Sequence, residues 1–83
     1  MYLHLGENTV VRTENIVGIF DLDNTSTSKW TNKYLSNATK SGRVINVSME
    51  LPKSFVVCKE NKEIKVYISQ ISSTTLVKRI GDL

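Results

Sequence analysis

Apolar and polar positions fall into short blocks over the first quarter of the chain. Tyr2 to Leu5 and Thr9 to Arg12 are alternating or β-branched runs on either side of Gly6-Glu7-Asn8, a turn composition, and together they predict a β-hairpin. Ile16 to Phe20 is a third apolar run of strand length, entered through the polar Thr13-Glu14-Asn15.

The period then changes. From Asn24 or Thr25, both good N-caps, a stretch without Gly or Pro runs through Lys40, and Gly42 stands just beyond it as a helix stop. At about 100° per residue, Trp30, Tyr34, Leu35 and Ala38 share one broad side, while Lys29, Lys33 and Lys40 fall within roughly 40° of one another on the far side. The pattern predicts an amphipathic helix with a lysine stripe. Its many Ser, Thr and Asn residues are weak helix formers, so packing through Trp30 is expected to hold it.

Arg43 to Val47 is again apolar and strand-like, and Leu51-Pro52 breaks the chain. Ser54 to Lys59 and Ile64 to Ser69 flank Glu60-Asn61-Lys62-Glu63, and Ile64, Val66 and Ile68 alternate with Lys65, Tyr67 and Ser69. This predicts a second hairpin with one wet face. From Ile71 to Ile80, Ser72 or Ser73 is placed to cap a short helix containing Leu76, Val77 and Ile80. The expected fold class is α+β, a small single domain over residues 1–83 in the order β-β-β-α-β-β-β-α. Its strands are mostly antiparallel, around one central amphipathic helix and a short C-terminal one.

Composition narrows the compartment and the chemistry. With 83 residues the core is modest, a size that often gains stability by self-association. Cys58, the only cysteine, lies in the apolar run FVVC, so it reads as a packing residue and a reducing, cytoplasmic setting is expected. No signal-peptide pattern opens the chain and no apolar run approaches the ~20 residues of a membrane span, so no membrane association is expected. His4 is the only histidine, which leaves too little material for a histidine-based metal site or a Ser-His-Asp triad. Gly6, Gly18, Gly42 and Gly81 form no phosphate-binding loop, so neither a metal nor a cofactor is expected.

One motif points toward catalysis. Asp21-Leu22-Asp23-Asn24-Thr25 follows an apolar strand in the D-x-D-x-T pattern of phosphatases and phosphotransferases that use an aspartate nucleophile. That chemistry also needs a lysine, Mg²⁺ and further carboxylates from a distant strand, built on parallel strands joined by helices. Downstream the acids are Glu50, Glu60, Glu63 and Asp82, none of them adjacent, and the second half reads as a hairpin. The chain is therefore not expected to be an enzyme. Asp21 and Asp23 are expected to mark the exit of a strand, close to the positive end of the helix that follows.

Charge gives a stronger lead. Residues 1–23 carry Arg12 against Glu7, Glu14, Asp21 and Asp23. Residues 24–49 carry Lys29, Lys33, Lys40 and Arg43 with no acid at all. An acid-free basic segment is the electrostatic footprint of a surface that meets phosphates.

The opening MYLHLGE with Val10-Val11-Arg12, the block Ile16 to Asp21, Lys53-Ser54 before Val56-Val57, and Ser73-x-Thr75-Leu76-x-x-Arg79 at the end make the chain resemble the Rem family. These are small bacterial regulators of extracellular-matrix genes, and the likeness is to the RemB branch. The resemblance runs over nearly the whole chain. It implies a compact α+β protein that assembles into a homo-oligomeric ring and, as in the RemA branch, binds DNA at promoters of biofilm-matrix genes. The RemA branch carries an arginine-rich turn before the Val-Val strand, whereas Met49-Glu50-Leu51-Pro52-Lys53 here keeps only Lys53 as a basic residue, and a further basic position of that branch falls on Asn15. Two functions follow as expectations. One is a DNA-binding regulator whose phosphate contacts are Arg12, Lys29, Lys33, Lys40, Arg43 and Lys53, multiplied by the ring. The other is an oligomer that does not bind DNA and acts on a regulatory protein partner.

Overall fold

A computed structural model describes residues 1–22 and 28–81. Along the chain lie β1 (Tyr2–Gly6), β2 (Thr9–Arg12), a 3₁₀ turn (Thr13–Asn15), β3 (Ile16–Asp21), α1 (Lys29–Lys40), β4 (Val44–Asn46), β5 (Ser54–Glu60), β6 (Glu63–Ser69) and α2 (Ser73–Gly81). The α+β class and the expected element order are both present. The cap residues Asn24 and Thr25 lie outside the described residues.

β1 and β2 form a two-stranded antiparallel ribbon with Leu3 opposite Val11. The other strands form one sheet in the order β3-β5-β6-β4, antiparallel except where β4 runs parallel to β6. β5 and β6 are joined by Asn61 and Lys62, with φ of 49° and 70°. Positive φ at both central residues is what a two-residue hairpin needs to match strand twist.

The sheet is covered on both faces. On one, Phe55, Val57 and Val66 meet Ala38, Tyr34 and Leu35 of α1. On the other, Val56, Cys58 and Tyr67 meet Leu3, Leu5 and Val11 of the ribbon and Leu76 of α2. The expected wet face of the β5–β6 hairpin is therefore corrected: Tyr67 and Ser69 are buried under the ribbon. They are polar yet satisfied. The Tyr67 hydroxyl donates to Glu60 Oε2 at 2.8 Å, and the Ser69 hydroxyl donates to the Leu5 carbonyl at 2.6 Å.

α1 begins one residue after Ser28, whose hydroxyl oxygen accepts from the Thr31 N–H at 3.1 Å. It ends in a Schellman arrangement: the Gly42 N–H donates to the Thr39 carbonyl and the Arg43 N–H to the Ala38 carbonyl. Gly42 has φ +71°, the left-handed conformation this stop requires. α2 is capped by Ser72, which accepts from the Thr75 N–H at 3.2 Å. Among the described residues no helix is long and apolar enough to cross a membrane.

Candidate nucleic-acid interface

The helix direction places the basic residues. Tyr34 stacks on Phe55 near the start of β5, whereas Arg43 meets Val66 beyond the opposite end of α1: the Val66 N–H donates to the Arg43 carbonyl at 2.9 Å. Lys29, Lys33 and Lys40 are all exposed along this run, on the side of α1 that faces away from the sheet. Eleven residues at 1.5 Å rise put Lys29 and Lys40 about 17 Å apart, roughly five phosphate steps along one strand of a duplex. The lysine stripe read from the sequence is thus a real surface.

Arg43 extends that surface past the helix end. It is half-buried and borders a concavity of about 330 Å³ with Ser41, Gly42, Glu63, Ile64 and Lys65, and its Nε is buried without a hydrogen-bond partner among the described residues. The remaining two candidates do not join it. Arg12 belongs to the ribbon on the opposite face of the sheet, where its guanidinium donates to Glu14 Oε2 at 3.0 Å. Lys53 is exposed at the sheet end where β6 finishes, its N–H donating to the Ser69 carbonyl. The six positions thus divide into a run of four and two outliers.

Trp30 is a correction. It was expected in the core, but it is 63% exposed and stacks on Tyr34 with ring centroids 5.4 Å apart and planes 10° off parallel. The wheel supplies the reason. With Trp30 at 0°, Tyr34 lies near 40°, Ala38 near 80° and Leu35 near 140°, so Trp30 is at the rim of the apolar side, about 60° from Lys33. Trp30, Tyr34, Phe55 and Phe20 form one column of stacked rings. Helical spacing alone groups Trp30 with the apolar side, although the same wheel sets it close to the lysines.

Elsewhere the chemistry is muted. Asp21 closes edge strand β3, which pairs antiparallel with β5, so the strand that delivers D-x-D does not stand in a parallel sheet. Asp23, Asn24 and Thr25 lie outside the described residues. Burial pushes the Cys58 thiol up to about 11, helped by the charge of Glu60, and keeps it protonated at neutral pH. His4 is exposed, its Nε2 2.8 Å from the Glu7 carbonyl oxygen. Among the described residues no three His, Cys, Asp or Glu side chains gather as a metal site would need.

Comparison with known proteins gives this arrangement its family. Residues 2–80 match the RemA-like family, described as extracellular matrix regulatory protein A-like. The chain is also 39% identical over 79 residues to extracellular matrix regulatory protein B of Bacillus subtilis (strain 168), covering 95% of this chain and 89% of that protein. With the family spanning nearly every element of the fold, the chain belongs to the RemA-like family of extracellular matrix regulatory proteins.

Proposed function

We propose that the protein is a non-enzymatic regulator of extracellular-matrix genes that binds duplex DNA through backbone phosphates, using Lys29, Lys33, Lys40 and Arg43 as one surface. The observation that carries this reading is the lysine side of α1 within a segment, residues 24–49, that has no acid. Such a surface releases counterions from a phosphate backbone with no carboxylate in its own segment, and Glu63 borders only its Arg43 end. Four contacts per copy give weak affinity, and repetition around a homo-oligomeric ring raises it by avidity. Self-association has material to work with: β3 and β4 are edge strands, and Val17, Phe20, Met49 and Leu51 expose apolar side chains.

Met49 and Leu51 also favour the second reading, in which the exposed loop between β4 and β5 docks on a regulatory protein and DNA is not bound. Titration of a labelled duplex at low and moderate salt separates the two. The DNA reading expects binding that weakens steeply with salt and is lost in Lys29→Glu/Lys33→Glu. No binding at low salt would sink it. Native mass spectrometry showing only monomer would remove the ring.

A further inference from the structure

We propose that the first three turns of α1 form a nucleobase-stacking platform that binds single-stranded DNA through Trp30 and shares Lys33 with the duplex surface. Trp30, Lys33, Tyr34 and Asn37 stand at i, i+3, i+4 and i+7, a contiguous arc of about 100° on the helix, and line a concavity of about 290 Å³. Each member supplies a different part of base recognition. Trp30, 63% exposed as a residue, offers the ring face that is turned away from Tyr34. Lys33 supplies charge for the phosphate that follows the base, and Asn37 is exposed and carries both a donor and an acceptor for a base edge.

The platform is built before any ligand arrives. Trp30 stacks on Tyr34, and Tyr34 stacks in turn on the buried Phe55 at 6.3 Å, so the exposed indole rests on a column rooted in the core. Aromatic faces that stack successive bases beside a cationic track are how sequence-tolerant single-strand binding is achieved. Charge complementarity favours a polyanion: Lys29 flanks Trp30 in the first turn, and no acid occurs anywhere between residues 24 and 49. The choice of DNA over RNA rests on the matrix-gene reading above; the stacking itself does not.

Trp30 is the only tryptophan, so its fluorescence reports the site directly. Oligothymidylate is expected to quench it at low salt, and oligouridylate of equal length to quench it less. Trp30→Ala should weaken binding of labelled oligothymidylate roughly tenfold or more, with Trp30→Phe retaining most of it. Trp30 lies outside the core, so both variants should keep the wild-type far-ultraviolet circular dichroism, and both should bind duplex within twofold of wild type. Absence of quenching at low salt, or equal single-strand affinity in Trp30→Ala, would overturn the platform. So would a blue-shifted, acrylamide-protected emission that appears with protein concentration, because a second copy then covers Trp30. Tighter binding of oligouridylate would overturn the assignment to DNA. Loss of duplex binding with Trp30-dependent single-strand binding intact would remove the duplex reading and leave this one standing.

Discussion

The Ser69 hydroxyl donates to the Leu5 carbonyl at 2.6 Å, joining the end of β6 to β1 across 64 residues of chain. The same oxygen accepts from the Ile71 N–H at 3.0 Å, and Ser69 is fully buried. One side chain thus fixes the ribbon onto the sheet and starts the turn toward α2. Ser69→Ala removes both of these hydrogen bonds from a fully buried position, so it is expected to cost about 1–3 kcal/mol. Urea unfolding should show a lower midpoint at unchanged slope. An unchanged midpoint would mean that water replaces the hydroxyl.

The alternation Ile64-Lys65-Val66-Tyr67-Ile68-Ser69 shows why part of the fold was legible and part was not. Period two marked the strand and its α1-facing residues correctly. It could not show that the polar set also faces a covered layer, because Tyr67 and Ser69 look like surface residues until their partners Glu60 and Leu5 are in place. The α2 cap and the α1 stop were readable, for Ser72 and Gly42 both stand where turn chemistry put them. The α1 cap expected at Asn24 or Thr25 is instead Ser28, one of several Ser and Thr residues that propensity does not tell apart. The candidate site was half legible. The lysine stripe follows from helical spacing alone, whereas the pairing of Arg12 with Glu14 across the 3₁₀ turn depends on a bend that propensity does not announce.

Gly18 lies opposite Val57 on the α1 side of the sheet, next to the ring of Phe20. A Cβ there would stand 2.8 Å from Phe20 ring carbons. Gly18→Ala is expected to displace that ring from its stack on Phe55, now 4.9 Å between centroids, at a cost of about 1–3 kcal/mol. The displaced ring should change the near-ultraviolet circular dichroism while the far-ultraviolet spectrum stays. A stability equal to wild type with an unaltered aromatic signal would show that the stack is not held by the missing Cβ.

Cys58 and Tyr67 link stability to alkaline pH. Burial raises the Cys58 thiol from 9.0 to about 11, and burial followed by the hydrogen bond and charge of Glu60 pushes Tyr67 up as well. The folded protein therefore holds these protons more tightly than the unfolded chain. The stability they contribute is fully present below about pH 9 and is lost as pH rises toward 11 and beyond. The melting temperature should fall over that window. Cys58→Ala should begin less stable at pH 8 but decline less steeply between 9 and 11. Parallel curves for the two proteins would assign the decline to other groups.

Salt dependence tests how the basic residues divide. Lys40 is exposed on the stripe, whereas Arg12 sits on the opposite face of the sheet with a carboxylate at 3.0 Å. That exposed pair adds little to stability, but it cancels the local charge that a phosphate would meet. For duplex binding, Lys40→Ala is expected to lower the slope of log affinity against log salt by about 0.9 for each copy in contact. Arg12→Ala should leave the slope within error, because the helix stripe and the ribbon cannot meet the same stretch of backbone. Equal reductions from both substitutions would place the duplex on a different surface, one that includes the ribbon.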